Sequence, residues 1–387
     1  MKEVALVAYD LGRADERGLL VNATVALRDA GFGVRALVKG VDDSTRGRLE
    51  GMGAEVVSLG FSHSPKDKAL EHEFAATSRK ASELVGQADA CLVLDEEAVM
   101  FSAFKRGPTA FWSQGPFFLS ALQGRLGEYG PLAARLFEIG LARCASKYGG
   151  HLRAYDAVAA NSEACAVLLR YSTGRVTDAV IYPPVDPASC PDPQVEKSGG
   201  RVLIVGDRDE RDIAEELRKI RAGTETGDVE FPEAPGVVSG EPCPYAGASF
   251  TVVDYPFGLF SYAGLQSMLC GTPVLTYAHG GLAELISGLA SPPQGVFEAG
   301  ETAPGANSLG AGWLVSTRQE LLREATRLVR EGYPAEVRRL ARERALSLSV
   351  ERIAPSLVKL LQLAVERATA DAGRRCGHRV VSRAFAD

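Results

Sequence analysis

The chain has 387 residues, more than the about 250–300 at which a single hydrophobic core stops growing, so two domains are expected. Hydrophobic residues make up 46% and charged residues 24%, a globular balance rather than that of a disordered chain. A net charge of −6 removes the global basic field that a nucleic-acid or anionic-lipid binder would show.

The seven cysteines, Cys91, Cys144, Cys165, Cys190, Cys243, Cys270 and Cys376, are scattered, odd in number and never spaced CxxC. Neither a disulfide framework nor a zinc knuckle is expected, and they read as small buried hydrophobes. The start, "MKEVALVAYDLG", brings charges at once and then a strand-like run, unlike a secretory leader. No apolar run reaches the ~18 residues of a membrane span. The expected location is the cytoplasm, with peripheral membrane contact left open.

In chain order, residues 3–11 form a short β-rich run, and residues 18–31 follow with helical period and a glycine stop. Further strand runs lie at "GVRALVKG", at 53–60, at 88–95 and at 107–114. Strands alternating with helical stretches predict right-handed βαβ units and a parallel sheet, with ligands at the carboxyl ends of the strands. The loops after Asp10, Asp95 and Ser113 are therefore candidate site loops. A long helix is broken at Gly149-Gly150. In "DAVAANSEACAVLLRYS" a strand meets a helix at Ser162, a good N-cap followed by Glu163 in the first turn. "ASCPDPQVEKSGG" has linker composition. A second series then begins with a strand at 201–209, followed by strands at 247–254, 271–278 and 311–316 and two amphipathic helices. The stretch 230–247 is Pro/Gly-rich and predicted irregular. A last helix ends in a basic tail with few packing signals, whose arginines face solvent or touch anionic lipid. The predicted organisation is a first domain at 1–188, a second at 189–350, a helix at 351–371 returning to the first domain, and a tail at 372–387.

Four motifs occur in order: "PFGL" at 256–259, "LQSMLCGTPV" at 265–274, "GGLAEL" at 280–285 and "GAGWLV" at 310–315. Together they resemble the C-terminal domain of retaining glycosyltransferases of the large family-four group. Upstream, "ANSEACAVLLRYS…AVIYPPVD" resembles the end of that family's N-terminal domain, and its "YPPVD" is similar to the mannosyltransferases that build lipid-linked oligosaccharides. The resemblance implies an α/β chain of GT-B type, two Rossmann-like domains facing a central cleft. It implies a donor such as GDP-mannose, a lipid-linked or glycan acceptor, no nucleic acid, no metal and no cofactor beyond the donor.

Physically, Pro256, Phe257, Gly258 and Leu259 would put backbone amides at a helix start, where unpaired N–H groups and the dipole favour a diphosphate. Gly280 and Gly281 would make a flexible turn beside the same edge, with Glu284 just beyond. The pattern also departs from the family. Relatives carry two Glu on this motif; here Gln266 takes the second position, at the helix start, and Asp254 with Tyr255 lies at the first. Gln266 can still bond a ribose, as donor and acceptor. Asp254 either replaces the first carboxylate or caps the strand end. Where relatives carry an Arg and a Lys, "VGDRDERD" offers Arg208 and Arg211 one residue out of register, either for bidentate phosphate binding or in surface ion pairs. Gln114 stands where the family often has a His. Relative to the family, the stretch 201–254 is short by about one βα unit. Two readings follow: a retaining hexosyltransferase, in which Asp254 and Gln114 serve catalysis, or a non-catalytic relative that kept the fold for binding or scaffolding. The aromatic-rich stretch 110–130 reads as core packing or as an acceptor groove leaning on a membrane.

Overall fold

The computed structural model describes residues 1–9, 14–59, 70–115, 131–190, 202–206, 229–230, 245–255, 259–288 and 310–384. The first sheet is built by β1 (Glu3–Ala8), β2 (Gly33–Val38), β3 (Glu55–Ser58), β4 (Ala90–Val93), β5 (Thr109–Ser113), β6 (Ala157–Ala160) and β7 (Ala179–Val180). All neighbours pair parallel, in the order β3-β2-β1-β4-β5-β6-β7. β1 shows why it sits centrally. Val4, Leu6 and Ala8 point into one buried cluster and Ala5, Val7 and Tyr9 into another, so both faces are covered.

Helices α1 (Ala14–Asp29), α2 (Asp43–Gly51), α3 (Leu70–Val85), α4 (Pro131–Ala154) and α5 (Glu163–Thr173) connect these strands, with a 3-10 turn at Glu97–Ala103. α5 starts as its sequence predicts: the Ser162 side chain accepts from the Cys165 amide, and Gly174 ends the helix in the left-handed conformation.

The second sheet holds β8 (Val202–Gly206), β9 (Val229–Glu230), β10 (Phe250–Asp254), β11 (Val274–Tyr277) and β12 (Gly312–Val315), in the order β12-β11-β10-β8-β9 and again parallel. β9 pairs parallel with β8 at the edge of this sheet. Its second residue opens the stretch expected to be irregular. α6 (Tyr262–Leu269), α7 (Gly281–Ser287), α8 (Arg318–Glu331), α9 (Glu336–Leu346) and α10 (Val350–Ala384) complete the elements.

α10 packs on α1 and crosses β4, β5 and β6, so this last helix lies against the first sheet. Ile353, Leu357, Leu360 and Leu361 are buried there, each contributing roughly 1.5–3 kcal/mol of burial. The helix does not stop at 371 but runs on to Ala384, because two internal glycines, Gly373 and Gly377, cost only about 1 kcal/mol each. The chain crosses between the halves twice, side by side: Val185 donates to Leu348 O at 2.9 Å, and Val350 donates to Val185 O at 2.9 Å.

One cysteine expectation fails. Cys190, just after the first crossing, is disulfide-bonded to Cys270 at the end of α6, with Cα atoms 5.6 Å apart. The pairing was invisible in the sequence because the partners are 80 residues apart and meet only when the crossing segment folds onto α6. Cys91 and Cys165 are buried free thiols, and Cys144 is an exposed one.

Candidate active site at the seam of the two sheets

Parallel strands place all their carboxyl ends along one edge. On the first sheet, β4 is followed, after Leu94, by Asp95 and Glu96. Asp95 is 7% exposed and accepts from the Tyr9 amide and, at 2.7 Å, from the Ala98 amide, tying the ends of β1 and β4 together. Glu96 reaches the next strand. Its Oε1 accepts from Ser113 Oγ at 2.6 Å, the Gln114 amide at 2.8 Å and the Gly115 amide at 3.0 Å, and its Oε2 accepts from the Tyr148 hydroxyl. Burial pushes the Glu96 carboxyl up to about 7, against the pull of those hydrogen bonds. Burial, and then the carboxylate beside it, raises the Tyr148 phenol.

Gln114 follows β5 directly. Its Nε2 donates to Trp112 O at 3.2 Å, and Asn161 Nδ2 donates to both its backbone oxygen, at 3.0 Å, and its Oε1, at 3.3 Å. Gly115 has φ +127°, and a Cβ there would stand 2.6 Å from Leu259 Cδ1 of the opposite half. The aromatic stretch resolves in part: Phe111 and Trp112 are fully buried core, while 116–130 lie outside the described residues.

On the second sheet, Asp254 ends β10 beside Gly206 at the end of β8. It is 8% exposed, and its Oδ1 accepts from Tyr277 Oη at 2.6 Å. Its Oδ2 lies 3.9 Å from Arg318 Nε. Burial, and then Asp254, raises the Tyr277 phenol. Arg208, Arg211, Pro256, Phe257 and Gly258 lie outside the described residues.

The helix after them begins later than predicted. α6 starts at Tyr262, with Ser261 as its N-cap accepting from the Gly264 amide, so Gly258 is not at the helix N-terminus. Gln266 is consequently more than a turn inside the helix rather than at its start, the one residue of α6 that is not buried. Tyr262 reaches the first domain, where Asn22 Nδ2 donates to its hydroxyl and that hydroxyl donates to Pro184 O.

The Gly280-Gly281 turn is packed rather than flexible. Gly280 caps α7 with φ 80°, and the Gly281 amide donates to Leu259 O at 2.5 Å. A Cβ on Gly281 would stand 2.6 Å from Phe260 Cδ2 and 2.7 Å from Ser162 Cβ, so the two halves touch there at backbone distance. Glu284 crosses the same seam. Its carboxylate accepts from the Glu163 amide at 3.0 Å, the Ala164 amide at 2.8 Å and Tyr182 Oη at 2.6 Å. It therefore caps α5 of the opposite half, complementing that helix dipole. Burial and then Glu284 raise the Glu163 carboxyl.

The structure thus brings Gln114, Leu259, Gly280, Gly281 and Glu284 to one seam. Asp254 ends the central strand β10 on the second-sheet side, and Gln266 lies apart on α6. The sequence reading missed Glu96, Asn161 and Tyr182. Each carried a signal: Glu96 follows Asp95 in a flagged strand-end loop, and Asn161 and Tyr182 lie within the "ANSEACAVLLRYS…AVIYPPVD" resemblance.

Two open parallel sheets meeting at their carboxyl ends, with a final helix returning to the first, narrow the architecture. The fold is that of the GT-B glycosyltransferases. Sucrose-phosphate synthase from Thermosynechococcus elongatus superposes with a TM-score of 0.63 at 15% identity, over 94% of this chain and 98% of that one. The catalytic domain of starch synthase IV from Arabidopsis thaliana, bound to ADP and acarbose, gives 0.59 at 12% identity, over 95% and 99%. Anabaena HepE in complex with UDP-glucose gives 0.57 at 18% identity, over 96% and 100%. No protein-family model matches the chain, and no curated protein matches it. At these identities the GT-B likeness is one of fold. Among the described residues no helix is long and apolar enough to cross a membrane.

Proposed function

We propose that this chain is a retaining hexosyltransferase that moves a sugar from a nucleotide-diphosphate donor to a lipid-linked or glycan acceptor. The observation that carries the reading is the seam itself. The carboxyl ends of both sheets converge where Leu259 meets Gly115 and Gly281 meets Ser162. Two solved structures of the same fold hold UDP-glucose and ADP, which supports a nucleotide donor on the second-sheet side.

Retaining transfer of this kind needs no strong protein nucleophile. The C–O bond between sugar and diphosphate breaks, and a leaving oxygen takes the proton of the attacking acceptor hydroxyl. The transition state is oxocarbenium-like, so the protein positions groups and stabilises charge. Asp254 is the carboxylate for the developing positive charge. Gln114, neutral and doubly held by Asn161, orients a hydroxyl instead of accepting its proton. Arg208 and Arg211 neutralise the departing diphosphate. Gln266 bonds the ribose. The motif "YPPVD" favours GDP-mannose as the donor.

Calorimetric titration of the purified chain with GDP, UDP, ADP and their sugar conjugates tests this. Micromolar binding of one nucleotide, lost in Arg208→Ala, is expected and names the base. A folded chain that binds none of them overturns the reading in favour of a binding or scaffold subunit.

A further inference from the structure

We infer that Glu96 is a positioning residue for the reaction, acting as a neutral-tolerant hydrogen-bond acceptor that fixes the Ser113–Gly115 turn and so sets where Gln114 stands in the cleft. The inference rests on the hexosyltransferase reading for its kinetic consequence, but the geometry stands without it.

Three donors from one turn converge on a single oxygen, Oε1: one hydroxyl and two successive backbone amides. Each amide left unpaired in this buried place would cost about 1–3 kcal/mol, so the turn has one strongly preferred conformation while that oxygen is there. The turn needs such a hold. Gly115 is in the left-handed region, and Leu259 of the opposite half fills the space where a side chain at this position would stand. Without the acceptor, two successive amides of a turn packed against Leu259 lose their partner, and the turn is free to shift, with Gln114 on it.

The second oxygen makes the device indifferent to charge. Oε2 faces only the Tyr148 hydroxyl among the described partners, and a hydroxyl both donates and accepts. A proton on Oε2 therefore turns that bond around, and Ser113 Oγ, 3.4 Å away, gives the phenol an alternative partner. Oε1 keeps its three donors in either state. Among the described residues, Tyr148 on α4 and Cys165 on α5 face the site, both held neutral by burial, with Glu284 beyond Cys165. A carboxyl poised near neutrality is thus tolerated where only its acceptor geometry is used.

Two variants of opposite character separate geometry from charge. Glu96→Gln removes the charge and keeps an oxygen at the same reach, with an amide nitrogen to donate to Tyr148. Glu96→Asp keeps the charge and withdraws the oxygen by one methylene. The expected result is that Glu96→Gln retains kcat within about threefold, whereas Glu96→Asp loses about 10–100-fold in kcat with the donor KM little changed, the scale of an ångström-sized misplacement. Hydrogen exchange at the Gln114 and Gly115 amides should quicken in Glu96→Asp and stay at the wild-type rate in Glu96→Gln. The reverse order of activities, or exchange at this turn unchanged in Glu96→Asp, overturns the inference. Should the wild type bind and turn over no sugar nucleotide, the hexosyltransferase reading fails by itself, and the exchange rates of the same two variants still decide whether Glu96 holds the turn.

Discussion

At the carboxyl end of the first sheet, Glu96 accepts from four donors, all from its own half. At the carboxyl end of the second, Asp254 accepts, among the described residues, one hydroxyl from Tyr277 and faces Arg318 at 3.9 Å. Both carboxylates are close to the seam edge in a parallel sheet, yet they are built for different work. A carboxylate whose lone pairs are filled by neighbouring amides shapes its surroundings. One held by a single hydroxyl and a loosely placed guanidinium keeps acceptor capacity for a ligand. On the proposed function, the first wall of the cleft is a rigid reference surface and the second carries the charge offered to the substrate.

The sharpest way to break this contrast is to neutralise Asp254. Asp254→Asn should lower kcat by about 10²–10³-fold, the usual loss when a preorganised electrostatic group is removed, with the fold intact by circular dichroism. Activity in Asp254→Asn equal to that of Glu96→Gln would erase the distinction between the walls. The next largest effect is on stability. Reducing the Cys190–Cys270 bond, or Cys190→Ser, should destabilise the chain by roughly 2–4 kcal/mol, read from denaturant midpoints with and without reductant. Gly281→Ala comes third. It puts a methyl against Ser162 and Phe260 across the seam and should cost about 1–3 kcal/mol, measured the same way.

The smallest effect tests the carboxylate pair at that seam. Burial and Glu284 raise the Glu163 carboxyl above its unfolded value. A raised acid contributes stability fully below its unfolded value and loses it as pH rises through the folded one. Glu163→Gln should therefore be slightly more thermostable than the wild type at neutral pH, with the difference vanishing below about pH 4, where the unfolded carboxyl is itself protonated.

What the sequence disclosed was local. The alternation in residues 3–9, the Ser162 cap and the βα rhythm arise from neighbours in the chain, and each predicted strand has its counterpart in one of the two sheets. What it withheld depends on distant partners. Glu284 meets donors 120 and 121 positions away, Tyr262 meets Asn22 at 240, and Cys190 meets Cys270 at 80. Even the start of α6 was a tertiary matter, since Tyr262 turns toward Asn22 and Pro184 where the motif alone placed the helix at Gly258. The roles of Arg208 and Arg211 stay with the sequence reading, because the loop that bears them lies outside the described residues.

The paired strands of chain at Val185 and Ser349 have a mechanical meaning. A single tether would act as a ball joint, letting one half tilt and spin freely against the other. Two tethers bonded side by side act as a pinned door hinge, and they leave one easy rotation, about the line running through both pins. Any rotation of the second half about that line would displace Tyr262, bonded to Pro184 beside the pins, least, and the rim farthest from them most.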